Sequence, residues 1–103
     1  MVSLKSSHIY IESDMVETVF CDENYAYAVY KIESSLLLLT PVSNQWFARM
    51  HKNPTPFLLK NRNLKGDKTL PIREILIDNN LDTTDRDLAF ELIKKTSLLK
   101  VKL

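Results

Sequence analysis

Residues 54–76 read PTPFLLKNRNLKGDKTLPIREIL, and they predict a strand, a cationic loop and the start of a helix. The apolar run FLL at residues 57–59 has the length and composition of a short buried strand. The polar loop after it contains the only glycine of the chain, Gly66, and four cations, Lys60, Arg62, Lys65 and Lys68. The sequence predicts that regular structure resumes at Pro71 and Ile72. Because loops beyond strand ends are exposed in α/β domains, this loop is the first candidate for a recognition surface.

The composition is that of one globular domain spanning residues 1–103. Hydrophobic residues make up 45% and charged residues 26% of the chain, which is enough apolar content for a core. The longest uncharged stretch, residues 34–48, is too short and too polar to cross a bilayer, and residues 1–14 lack the apolar run of a signal peptide. A single cysteine excludes an internal disulfide framework. We therefore expect a cytoplasmic protein that does not associate with membranes.

Charge is unevenly distributed along the chain, although the net charge is only +1. Residues 49–73 contain seven cations and one acid, whereas residues 1–34 are acidic overall. Two interpretations fit this distribution of charge. In the first, the basic segment attracts an acidic or phosphate-rich partner. In the second, its cations balance the acidic first third within the folded protein.

The strands are predicted from β-branched and aromatic residues. They cover residues 8–12, 15–21, 25–32, 57–59 and 98–103. Residues 36–39 remain ambiguous, because LLLL is either a further strand or the lead-in to a helix.

Helices are predicted over about residues 41–52 and 71–79, and from Thr83 or Thr84 onward. Thr40 and Pro41 resemble an N-cap and a first helical residue. The whole order predicts an α/β (α+β) fold, with a two-layer mixed sheet of about five strands and helices largely on one face.

The order of elements resembles the STAS-like layout of the anti-sigma-factor antagonist type. The resemblance is carried by Asp14-Met15-Val16, Asp22-Glu23, Trp46-Phe47 and residues 57–64. It implies a regulatory module that acts by binding a protein partner. The regulated members of that family carry a phosphorylated serine in the loop after a core strand. Here the loop at residues 60–69 has Thr69 as its only hydroxyl, so the same switch is not expected.

Residues 70–103 contain Ile72-Arg73-Glu74-Ile75, a turn around Leu81, Thr83-Thr84, and then Leu88 and Leu92. With these residues the segment is similar to the helix-turn-helix and first wing strand of a winged-helix domain. This resemblance implies a recognition helix whose N-terminal residues approach DNA. That helix start would carry three acids and one cation, Asp82, Asp85, Asp87 and Arg86. Acids weaken binding to a phosphate backbone. Nucleic-acid binding, through this segment or through residues 49–73, is therefore the alternative function.

The sequence contains no recognisable catalytic or metal-binding pattern. His8 and His51 are isolated, and no spacing of His, Cys and acidic residues gives three zinc ligands. Cys21 follows an apolar run beside two acids and is expected to be a small buried hydrophobe. We predict that the protein is not an enzyme and uses no cofactor, with a small-molecule enzyme as the third alternative.

The predicted function is a non-enzymatic interaction or regulatory module that binds a protein partner or forms a homodimer. Trp46 is expected to be buried against the sheet, whereas Phe47 falls at the margin of the apolar stripe of its helix and is expected to be exposed. The candidate partner-binding residues are Lys60, Arg62, Lys65, Lys68 and Phe47.

Overall fold

Across residues 1–21, 23–52, 54–63 and 65–103, which the computed structural model describes, the chain forms two five-stranded antiparallel sheets. The first sheet contains β1 (Val2–Lys5), β2 (His8–Ile11), β6 (Lys60–Asn61), β7 (Lys68–Pro71) and β8 (Arg86–Leu88). The second contains β3 (Tyr25–Lys31), β4 (Leu36–Pro41), β5 (Pro56–Leu58), β9 (Phe90–Ile93) and β10 (Leu98–Lys102). The strand orders are β6-β7-β2-β1-β8 and β5-β3-β4-β10-β9.

Short helices join the strands in the described part of the chain. They are α1 (Ser13–Val19), α2 (Gln45–Met50) and α3 (Arg73–Asp78), with a 3₁₀ turn at Lys94–Thr96. The start of α2 is fixed by Asn44, whose side chain accepts a hydrogen bond of 3.1 Å from the amide of Phe47. Over the residues that the structure describes, no helix has the length and apolar character to span a membrane.

One hydrophobic cluster unites the inner faces of both sheets. It includes Leu4 and Ile9 of the first sheet, and Leu39 and Leu99 of the second. Helices α1 and α3 add further buried side chains, Val16, Val19 and Leu76. Because side chains alternate along a strand, the residues between the inward-facing ones lie on the outer face of each sheet.

The α+β class is confirmed, but the prediction of a single mixed sheet is wrong. The pairings within both sheets are antiparallel. One reason why the sheet prediction failed is a hairpin between β1 and β2. Its turn lies at Ser6 and Ser7, which have φ values of 50° and 63°. Two residues with positive φ match the twist of antiparallel strands. Serines are a weak signal for such a turn, so the sequence did not reveal β1.

Most of the predicted elements are confirmed, one helix begins later than expected, and two elements are wrong. Strands form near the residues expected for β2, β3, β5 and β10, the ambiguous LLLL stretch is strand β4, and α3 lies within the predicted helix at 71–79. Residues 15–21 were expected to form a strand but lie mostly in α1, because Val16 and Val19 face the core at helical spacing. The helix expected over 41–52 begins only at Gln45.

The helix expected from Thr83 or Thr84 is also wrong. Residues 86–88 and 90–93 are strands β8 and β9 instead. The carboxylate of Asp82 accepts hydrogen bonds from the Thr84 amide and hydroxyl, so this polar stretch closes a turn rather than capping a helix. All of residues 70–103 are described, and they lack the second helix that the winged-helix resemblance implies. Asp22 and Leu64, which carry part of the STAS-like resemblance, lie outside the described residues.

The two aromatic residues of α2 take the opposite positions to those expected. Trp46 is 59% exposed, whereas Phe47 is only 3% exposed. The ring of Phe47 stacks on that of Tyr27 in β3, with centroids 6.3 Å apart, and packs against His51. Because the helix begins after Asn44, the face that carries Phe47 and Ala48 turns toward the protein. Cys21 was expected to be buried, but it is exposed beyond the end of α1.

Candidate anion-binding cleft

The outer face of the first sheet is polar. In β1 and β2, the inward-facing residues are fully buried, and the residues that alternate with them include Lys5, His8 and Tyr10. Strand pairing places Lys5 opposite His8, and Tyr10 opposite Thr69 of β7. Thr69 in turn pairs with Lys60 of β6. The ladder therefore brings side chains from four strands onto one surface.

A cleft of about 320 Å³ lies on this surface. The lining side chains that matter for its chemistry are Lys5, His8, Tyr10, Lys60, Arg62 and Thr69. Lys60 and Arg62 are exposed, and the Lys5 ammonium lies 4.8 Å from the centroid of the Tyr10 ring. The ring face is electron-rich, which favours this placement of the cation. Three permanent cations and one histidine thus surround a single concavity.

The connection between β6 and β7 holds Arg62 in place. The amide of Arg62 donates a hydrogen bond of 2.7 Å to the carbonyl of Asp67. The side-chain oxygen of Asn63 accepts from the amide of Lys65 at 2.9 Å. Gly66 has a φ of 98°, a conformation that a residue with a Cβ adopts only under strain. The Asn63–Gly66–Asp67 pattern therefore has a structural purpose, which is to close this turn.

Asp67 ties the same turn to the sheet and to α1. Its carboxylate accepts hydrogen bonds from the Tyr10 hydroxyl at 2.5 Å, the Asn63 amide nitrogen at 3.0 Å and the Ser13 backbone amide at 2.8 Å. The hydrogen bond from Tyr10 is the main cause that lowers the pKa of Asp67, and the bond from Asn63 is the next. The hydrogen bond between Tyr10 and Asp67 also raises the pKa of Tyr10. The hydroxyl proton of Tyr10 is committed to Asp67, so Tyr10 offers the cleft its ring rather than a donor.

We expect Asp67 to make the stability of the protein depend on pH in the acid range. Its pKa in the folded state lies below the ordinary value of 3.8. The stability it contributes is therefore complete above the unfolded-state pKa, and it is lost as the pH falls through the folded-state pKa. The Asp67→Asn variant should melt below the wild type at neutral pH, and the gap should narrow on acidification. Melting curves across this range, with the exposed Asp78→Asn as control, check this; a gap independent of pH would contradict it.

Acidic residues border the cationic cleft. A neighbouring hollow of about 420 Å³ is lined by Glu12, Asp67 and Asp87 together with Lys5 and Lys65. At the β1–β2 turn, Asp85 accepts a hydrogen bond of 2.8 Å from the amide of Ser6. The positive charge is therefore concentrated at the cleft and does not extend as a continuous band along the sheet.

The predicted partner-binding residues do not share one surface. Lys60 and Arg62 line the cleft, whereas Lys65 is exposed and lines the neighbouring hollow. Lys68 is only 9% exposed, and its ammonium donates a hydrogen bond of 3.3 Å to the carbonyl of Glu23. Placing Lys68 on the exposed patch is therefore a wrong prediction. Placing Phe47 on an exposed surface is also a wrong prediction, because its side chain is buried between α2 and the second sheet.

Lys5 and His8 are not among the candidate residues predicted from the sequence. Their signal is present but short: VSLK and HIYI alternate apolar and polar residues on either side of a two-serine turn. The Nδ1 atom of His8 lies 2.8 Å from the carbonyl oxygen of Ser6. When that nitrogen carries a proton it donates to this carbonyl, which orients the ring at the cleft.

The arrangement can bind an anion by charge and by hydrogen bonding. Guanidinium and ammonium groups form the strongest hydrogen bonds that proteins offer to carboxylate and phosphate oxygens. Among the described residues, no three His, Cys, Asp or Glu side chains lie close enough together to hold a metal ion. Comparison with known proteins provides no further guide, because no family model, curated protein or solved structure matches the chain.

Proposed function

We propose that this protein is a non-enzymatic interaction module that binds an acidic segment of a protein partner through the cationic cleft. The observation that supports this function is the convergence of Lys5, Lys60 and Arg62 on one concavity. These cations come from segments more than fifty residues apart in the chain. Their juxtaposition is created by the β6-β7-β2-β1 strand order.

The border of acids argues for a compact anionic ligand. Binding to duplex DNA depends on neutralising a run of phosphates, so it favours a long basic strip. Here Glu12, Asp67 and Asp87 lie beside the cations and would repel an extended phosphate backbone. A peptide can place one acidic group in the cleft and turn its remaining residues away from these carboxylates. An acidic protein segment is therefore the better fit.

We expect charge reversal at the cleft to weaken the binding of a short glutamate-rich peptide. The test variant is Lys60→Glu with Arg62→Glu, and the matched control is Lys94→Glu with Lys95→Glu, which reverses two exposed charges on the 3₁₀ turn. Fluorescence anisotropy with the labelled peptide, in low and moderate salt, should show at least about tenfold weaker binding for the cleft variant. The control should stay close to the wild type.

Two results would overturn this function. Equal weakening in both variants would mean that the peptide responds to overall charge and not to the cleft. Tighter binding of a short DNA duplex than of the peptide, with the loss again confined to the cleft variant, would instead support the nucleic-acid alternative. The mass in solution, measured alongside, tests whether homodimer formation accompanies binding.

A further inference from the structure

We infer that the cleft accepts a phosphoryl group carried by a side chain of the acidic partner, an inference that rests on the proposed binding function. The residues that carry it are Lys5, Lys60, Arg62 and Thr69, all of which line the cleft. Lys5 is in β1, Thr69 is in β7, and Lys60 and Arg62 lie in and just beyond β6. A ligand that contacts all of them needs several acceptor oxygens pointing in different directions.

The charge of the cleft favours phosphate over carboxylate. A phosphorylated side chain carries a charge of about −1.5 to −2 at neutral pH and presents three strong acceptor oxygens. A carboxylate carries one charge and two oxygens in a plane, so it would leave part of the three-cation set unmatched. Arg62 adds a planar fork of donors, which suits bidentate contact with the oxygens of either anion. The number of cations that line the cleft therefore matches a dianion better than a single carboxylate.

The hydrogen-bonding state of Tyr10 strengthens this assignment. Its hydroxyl donates to Asp67, so this carboxylate receives a donor that does not come from the cations of the cleft. Its ring contributes a flat wall beneath Lys5. Asp67, the nearest acid in this network, is held by donors from Tyr10, Asn63 and Ser13. The negative charge of Asp67 is thereby stabilised by its own partners, which reduces its competition for the cations of the cleft.

The backbone of the cleft is also preformed in the absence of a ligand. Lys60, Thr69 and Tyr10 are registered by two strand pairings, and the β6–β7 turn is closed on Asp67. A site whose backbone is already ordered loses less entropy on binding. Its volume of about 320 Å³ lies at the small end of ligand pockets and accommodates a phosphoryl group with the side chain that bears it.

The test compares short peptides that are identical except at one central position, which holds serine, phosphoserine, phosphotyrosine or glutamate. Inorganic phosphate is titrated in parallel. Isothermal titration calorimetry with the wild type should give binding to at least one phosphopeptide about tenfold or more tighter than to the glutamate peptide. The Lys60→Gln, Arg62→Gln variant should lose this preference, and the Lys94→Gln, Lys95→Gln control should keep it.

The outcomes separate this inference from the proposed function. Equal binding of the glutamate peptide and both phosphopeptides, still dependent on Lys60 and Arg62, would overturn the phosphoryl assignment and leave the acidic-partner function standing. Saturable binding of inorganic phosphate without binding of either phosphopeptide would also overturn it. Failure of every peptide to bind the wild type would overturn both. Should the double variant fail to fold, Lys5→Gln on β1 provides a second, independent removal of a cleft cation.

Discussion

Deletion of residues 98–103 is expected to leave a chain that no longer folds cooperatively. Strand β10 lies between β4 and β9 and pairs with both. Its side chains Leu99 and Val101 are fully buried in the shared core. The deletion removes hydrogen-bonded ladders on two sides, exposes apolar surface from both neighbours, and separates β9 from its sheet.

Circular dichroism and thermal melting of the truncated chain measure this loss. Leu99→Ala is the graded version of the same test and should destabilise the fold by about 2–5 kcal/mol. Lys100→Ala is the control, because Lys100 alternates to the outer face and makes only a 4.0 Å ion pair with Glu91. A truncated chain that melts cooperatively near the full-length temperature would contradict the central position of β10.

Phe47→Ala should destabilise the protein by about 3–5 kcal/mol, the usual range for a buried aromatic residue. Phe47 packs between Tyr27 and His51 and is almost inaccessible to solvent. Trp46→Ala removes a larger ring from the adjacent position, yet it should cost less than about 1 kcal/mol because Trp46 is exposed. Chemical denaturation of the two variants gives this comparison directly. A larger loss for Trp46→Ala would mean that α2 presents its other face to the sheet.

The sequence predicted local structure best where a strand had a long apolar pattern. Residues 25–32 and 98–103 have such patterns, and both form strands. The prediction failed where a few residues were consistent with two conformations. Residues 15–21 are apolar enough for a strand, but Val16 and Val19 are three residues apart, a spacing that places both on one face of a helix, where they pack into the shared core.

The partition into two sheets could not be read from the sequence, because strand partners are set by long-range contacts. β10 pairs with β4, about sixty residues earlier in the chain, and β8 pairs with β1 at the opposite end. Antiparallel pairing leaves no mark in composition that identifies the partner. The orientation of α2 also depends on its surroundings. The helix starts at Gln45 rather than at Pro41, and as a result Phe47 is buried and Trp46 is exposed.

Only part of the candidate site could be predicted from the sequence. Lys60 and Arg62 stood out as cations in a loop beyond a strand, but nothing in the sequence separated them from Lys68, which turns inward. Lys5 and His8 lie far away in the chain and join them only because β2 sits between β1 and β7. Local charge pattern thus identifies the cationic segment, whereas the sheet order decides which of its members share a cleft.

The location of a bound phosphopeptide on the isotope-labelled protein tests the central claim most directly. On titration, backbone amide signals should shift at the β1–β2 turn from Lys5 to His8, at Lys60 to Arg62, and at Thr69, because these segments form the cleft. Signals of α2 and β9 should stay in place. Shifts concentrated around the exposed Trp46 or Phe90, with the cleft signals unchanged, would contradict the claim that the cationic cleft is the binding site.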